Sequence, residues 1–336
     1  MKNKKIELKK DFAELFKAVE EASKPDHCLL CGKKNIPICY SHIVPQFVLR
    51  GIADKGMICY GQALFKRADI TETKKGIKNA FTFRLICREC DQKKFANYEK
   101  PDTIVNFDAL NNDNKNNVLI EMALKTHLAH IYSKVKSFKL REALFPQKLQ
   151  QLQNLGLPTA FEIDIQEHFQ YIHALTAARK STSFTFDVLY NELLDYETGV
   201  AAQTIIAYQY DLNGNQLFDP KDFSASNSVK YFYLMILPYN GKTRIIFYTE
   251  RKHRNYLKPI IEQFNTLNQE EKLHFLFISL IVYDEQFYIN PALQEKIKKD
   301  KKLIKLYTDT DMACVDGNAC KGIKNFRKYR NYLLLT

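Results

Sequence analysis

The chain is expected to be an α+β protein. A small N-terminal module held by paired cysteines is expected, followed by a larger α+β domain with an antiparallel sheet. Three observations carry this expectation. Four of the eight cysteines form two Cys-x-x-Cys pairs, Cys28/Cys31 and Cys87/Cys90, with 55 residues between them. Strand-like and helix-like apolar patterns come in blocks rather than in strictly alternating βα units, which favours antiparallel pairing. Asn240-Gly241 separates two apolar runs rich in aromatic and β-branched residues, and it supplies the positive backbone dihedrals of a tight primed turn.

The elements follow in order. Residues 5–23 place Ile6, Leu8, Phe12, Leu15, Phe16 and Val19 near helical spacing with charges between them, a helix ended by Pro25. Residues 28–100 hold the cysteine pairs, the strand-like runs "IPICYSHIV" and "AFTFRLIC", and a basic, glycine-punctuated insertion between the runs. A polar stretch containing "NNDNKNN" reads as a linker, giving a first domain over 1–105, a linker over 106–117 and a second domain over 118–336. Beyond it, helices are expected over 117–138 and 140–156, the second interrupted by Pro146. Strands are expected at "AFEIDI", "SFTFDVLY" and "AQTIIAYQYD", then in the hairpin "VKYFYLMILPYNGKTRIIFYTE". Helical patterns return at 253–268, 269–283 and 291–306, and no internal repeat is visible.

With 336 residues, 46% of them hydrophobic, the chain can bury a full core without cross-links. No apolar run reaches the ~18 residues of a membrane span, and the opening "MKNKKIELKK" is charged rather than secretory. A cytoplasmic, reducing setting is therefore expected, with no membrane partner. There, paired cysteines read as metal ligands before disulfides. The net charge of +12 lies wholly at the ends: residues 1–110 carry 21 Lys+Arg against 14 Asp+Glu, residues 111–316 are balanced at 24 each, and residues 317–336 carry five against none. Such basic ends suit a polyanionic partner.

Four thiolates from Cys28, Cys31, Cys87 and Cys90 would complete a tetrahedral zinc site and leave no open position, so the zinc is expected to be structural. Cys39 and Cys59 stand alone and read as packing residues, and Cys314 and Cys320 offer too few donors for a metal. His127 and His130, three apart on an expected helix, could share a metal but lack a partner motif.

Knuckle, "ICYSHIV" strand, "AFTFRLIC" strand and a charged helix opening at "CREC" follow one another in an order that resembles the treble-clef, or ββα-metal, scaffold of HNH endonucleases, which implies a zinc-bound treble-clef ββα-metal module at the N-terminus. More narrowly, "SHIVPQF" with "LICRECDQKKFANYE" looks like bacterial HNH-type proteins that pair Ser-His-Ile-x-Pro-x-Phe with a second Cys-x-x-Cys helix. The resemblance covers about residues 25–105. It implies phosphodiester hydrolysis of nucleic acid, DNA before RNA, with bacterial defence against foreign DNA as a setting. His42 matches the general base and Asn79 the residue that orients it. Asp91 stands where the family has a metal-binding histidine, so a catalytic Mg2+ or Mn2+ would be held by Asp91, with Asn97 the next ligand candidate and Glu99 after it. Ser41 stands where a carboxylate often precedes the base. Arg50, Lys66, Arg67, Lys74, Lys75, Lys78 and Arg84 in and beside the insertion are the candidate phosphate contacts. The C-terminal "CKGIKNFRKYRNYLLLT" mixes cations with aromatics that suit either nucleic acid or packing, with packing favoured. The second domain would recognise a protein partner, an activating ligand or DNA. The competing expectation is a catalytically silent zinc module that binds nucleic acid or docks a partner.

Overall fold

The structure is a computed structural model that describes residues 2–61, 74–147, 160–179, 185–219, 222, 229–284, 287–313 and 319–334. In chain order the elements are α1 (Lys2–Ala22), β1 (Ser41–His42), α2 (Gln46–Ile52), β2 (Met57–Tyr60), β3 (Lys74–Gly76), β4 (Thr82–Phe83), α3 (Arg88–Lys94), α4 (Pro101–Val105) and α5 (Asn112–Leu144). Then come α6 (Ala160–Ala178), β5 (Phe186–Leu194), β6 (Val200–Ile206), β7 (Phe232–Tyr239), β8 (Lys242–Glu250), α7 (Arg254–Asn265), α8 (Gln269–Tyr283), β9 (Tyr288–Ile289), α9 (Pro291–Ile297) and α10 (Lys301–Ala313). The protein is a mixed helix-and-sheet structure whose strands pair antiparallel, as its patterning predicts. Among the described residues no helix is long and apolar enough to cross a membrane.

Two compact units interleave along the chain. The first takes residues 1–43, 82–98 and 120–182, and the second takes 44–81, 99–119 and 183–336. This differs from the expected serial boundary in two ways. The stretch expected to be a linker, 106–117, holds a 3-10 turn at Phe107–Ala109 and the first turns of α5. There the Asn111 side chain accepts a hydrogen bond from the Asn114 N–H, the capping chemistry for which asparagine is favoured at helix starts. The basic insertion is likewise structured: β2 pairs with β3 and with β9, so it adds two strands to the sheet of the second unit.

The first unit is helical around a small ribbon. β1 and β4 form a two-stranded antiparallel pair, Ser41 opposite Phe83 and His42 opposite Thr82. Ile38 bridges Cys87 further along, so the register slips by one residue between the two contacts, as at a β-bulge. α5 runs unbroken through both expected helices 117–138 and the start of 140–156, and residues 148–156 lie outside the described residues. "AFEIDI" is the start of helix α6 and not a strand. Six alternating residues fit a strand period, but Tyr171, Ile172 and Leu175 further on are buried at helical spacing, and the longer pattern prevails.

The second unit is built on a seven-stranded sheet in the order β3-β2-β9-β6-β7-β8-β5. β6 is buried at every residue, which accounts for its lack of polar alternation. The expected hairpin joins β7 and β8, with Asn240 at φ 52° and Gly241 at φ 77°. Leu257, Ile260, Ile261 and Phe264 of α7 and the apolar residues of α8 build the core with this sheet, centred on Tyr208, Phe232, Phe247 and Phe275. Arg244 points inward from β8 and is fully engaged there. Its guanidinium donates to the Ile104 and Val105 carbonyls, to Asp108 at 2.8 Å and to Asn191 at 3.0 Å. The C-terminal segment packs as expected, with Ile323, Phe326, Tyr332 and Leu333 buried and Arg327 paired to Glu271 at 2.7 Å. Cys314 lies outside the described residues.

Candidate metal centre and the residues around His42

The first knuckle closes as its sequence requires. Gly32 adopts φ +70°, a conformation open to glycine at little cost, and its N–H donates to the Cys28 carbonyl at 2.8 Å. The Leu29 N–H donates to the Leu85 carbonyl and the Cys39 N–H to the Ile86 carbonyl, which lays the knuckle along the β4 segment. Cys87 is the N-cap of α3, so the second pair opens that helix, and the Cys87 N–H donates to the Cys28 sulfur at 3.3 Å.

The four sulfurs of Cys28, Cys31, Cys87 and Cys90 lie within 4.8 Å of one another, and Cys31 and Cys87 are 3.9 Å apart. A zinc–sulfur bond of about 2.3 Å sets a tetrahedron edge of roughly 3.8 Å, so the cluster fits a zinc ion. Among the described residues it is the one group of three or more histidine, cysteine or acidic side chains close enough for a shared ion. Burial raises the thiol pKa values of Cys28 and Cys90, so metal binding would displace protons that these sulfurs otherwise hold. Cys39 is pushed up to about 12 by burial and Cys59 donates to Gln294 at 3.0 Å, so both behave as packing residues.

His42 is half-buried on β1, and its neighbour Ser41 is buried. The Ser41 hydroxyl donates to the Asp91 carboxylate at 2.5 Å, so the ribbon that carries His42 meets the first turns of α3. The same carboxylate oxygen faces the Lys125 ammonium of α5 at 3.4 Å. That ammonium has 2% side-chain exposure and lies over the rings of Phe95, at 4.7 Å, and Tyr98, at 5.8 Å. A carboxylate is the right kind of donor for a hard divalent cation, but here its positive partner is an internal lysine.

Asn97 is committed elsewhere. Its side chain donates to Glu121 at 2.8 Å and its backbone N–H to the same carboxylate at 3.0 Å. Tyr98 N–H adds a third hydrogen bond and Arg179 an ion pair at 2.7 Å. Burial raises the Glu121 pKa, against the lowering effect of Arg179. Asn79 closes a 3-10 turn, Ile77–Asn79, in the second unit, whereas His42 belongs to the first. Glu99 also falls in the second unit.

The expected phosphate contacts divide. Arg50 and Lys78 are exposed, Lys74 and Lys75 stand on β3 with Lys75 over the Tyr60 ring, and Lys66 and Arg67 lie outside the described residues. Arg84 is buried, paired to Glu21 and placed under the Tyr40 ring at 4.6 Å, so its guanidinium is not offered to a phosphate backbone. His127 meets His168 of α6 with 2.9 Å between their Nδ1 atoms, and His168 Nε2 lies 3.5 Å from Asp164.

No protein-family model, curated protein or solved structure matches this chain. The four-cysteine cluster therefore stands on its geometry alone, compatible with a zinc module. Sequence reasoning did not find Lys125 or Arg179, and it met Glu121 only as a neighbour of His127 and His130, not as the partner of Asn97 and Arg179. Lys125 and Glu121 are ordinary charged residues on an expected helix, set apart only by their burial, and Arg179 is a half-buried residue just after α6, where the sequence pattern predicts no helix.

Proposed function

We propose that the four-cysteine module is the scaffold of an HNH-like nuclease acting on nucleic acid, with DNA the expected substrate and bacterial defence a fitting use. The observation that carries this reading is the Ser41–Asp91 hydrogen bond. It brings the residue beside His42 onto Asp91, which with Glu89 is one of the two carboxylates in the first turn of α3. In this reading the four cysteines hold a structural zinc, and His42 takes a proton from the water that attacks phosphorus. Asp91 would hold a Mg2+ or Mn2+ ion, which when bound stabilises charge on the phosphoryl oxygens. Asn97 would reach that ion only by leaving Glu121. The second unit would select the target through a partner, an activating ligand or DNA. Cleavage of plasmid DNA in Mg2+ or Mn2+ tests the reading. His42→Ala is expected to lower the rate by about 10^2 to 10^4-fold, and an unchanged rate removes His42 as the base.

A second reading is favoured by one contact. Lys125 already neutralises Asp91, as a module that binds nucleic acid without cutting it would allow. Zinc bound at the four cysteines, with no Mn2+ bound at Asp91 even in the presence of DNA, would decide for this reading.

A further inference from the structure

We propose that Tyr40 is a stacking platform for one unpaired nucleobase, next to His42. The inference rests on the nucleic-acid reading above and names the contact by which the module would hold a single-stranded segment. Tyr40 and His42 flank Ser41 along the chain. Successive side chains of an extended segment point to opposite faces, so these two share the face turned away from the buried Ser41. The Tyr40 ring is 57% exposed, the largest exposure among the large apolar side chains described.

A lone exposed tyrosine is commonplace. This one is held. The Arg84 guanidinium lies 4.6 Å from the ring centroid, and it is itself buried and fixed by its ion pair with Glu21. An aromatic ring braced by a cation on one face loses little freedom when a second flat group stacks on its other face. Between the Ile38–Cys87 bridge and the Ser41–Phe83 pair the extra residue falls on the 83–87 strand, the one that carries Arg84, so the alternation along Tyr40, Ser41 and His42 is not interrupted. On the same module Lys34 and Arg88 are exposed cations, and Lys33 and Lys93 share the one carboxylate of Glu89, which leaves the group a net positive charge that suits a phosphate backbone. Aromatic stacking does not distinguish among bases, so the platform would hold single strands without reading sequence.

The test uses the full-length zinc-loaded protein and single-stranded oligonucleotides with phosphorothioate linkages, without added divalent cation, so that binding is read apart from cleavage. Tyr40→Ala is expected to weaken binding by about tenfold or more, and Tyr40→Phe to leave it unchanged. The chain has no tryptophan, so Tyr40→Trp introduces a single reporter. Its emission is expected to be quenched by an oligonucleotide and not by an abasic strand of equal length. Equal affinity for wild type and Tyr40→Ala, at equal zinc content, overturns the platform. So do equal quenching by the abasic strand, binding of a protein ligand in place of oligonucleotide, and no binding of oligonucleotide at all. Tyr40-dependent binding, together with plasmid DNA left intact by the wild type in Mg2+ or Mn2+, would leave the platform standing and remove the nuclease reading.

Discussion

Lys125 sets the character of the site more than any residue the motif contains. A buried ammonium needs a compensating charge, and Asp91 supplies it. Replacing Lys125 by Met is expected to free that carboxylate. Mn2+ binding beyond the structural zinc, followed by electron paramagnetic resonance, should then tighten by about tenfold or more and be lost again in Lys125→Met/Asp91→Asn. Equal Mn2+ binding in wild type and Lys125→Met would show that the ammonium does not compete. Glu121 is the other buried charge of consequence, fully enclosed and serving two backbone N–H groups, Asn97 and Arg179. Glu121→Ala strands all of these donors and should cost about 3–5 kcal/mol in urea unfolding. Glu121→Gln keeps the shape and should cost less. The four cysteines are legible in the sequence because spacing identifies them. Lys125, Glu121 and Arg179 are not, because their partners lie 23 to 85 residues away and nothing local marks them as paired.

At the scale of elements, local chemistry predicts what it controls. The helix opening at Cys87, the Asn240-Gly241 hairpin and the amphipathic α1 all follow from short patterns. So does the start of α8, where Asn268 and Glu271 form a reciprocal capping box. Gly241→Ala puts a side chain on a φ of 77° and is expected to lower stability by about 1 kcal/mol or more, whereas Asn240→Gly should change it little. Elements decided by distant partners are misread. β2 and β3 look like a basic loop until β9 supplies an edge for β2, and "AFEIDI" looks like a strand until the rest of α6 is counted.

The whole molecule should respond to metal removal and to acid in different places. Chelation of zinc is expected to expose the amides of Leu29, Cys39 and Asp91 to hydrogen exchange, since their acceptors lie on the segments that the four cysteines join. Acid acts through the histidines between α5 and α6. Burial holds His127 and His130 well below the usual 6.5 and pushes His168 down to about 4, with Asp164 working against that shift and Lys134 adding to it. Between those pH values the unfolded chain binds a proton that the folded His168 refuses, so stability falls as pH drops through the window. The loss is about 1.4 kcal/mol per pH unit for such a histidine. In urea unfolding at about pH 7 and pH 5, His168→Gln should therefore lose less stability than the wild type.

The place of β2 in the sheet also has a consequence in time. Its chain is complete at Tyr60, yet β9, the strand that covers its inner edge, ends at Ile289. At ribosomal speeds of about 5–20 residues per second, the interval is roughly 10 to 50 s. Throughout it, Ile58 and Cys59, both fully enclosed in the finished protein, have only the short β3 ribbon beside them. Nascent chains that stop before residue 288 carry an open strand edge, the kind of surface that chaperones hold and that stalled chains use to aggregate.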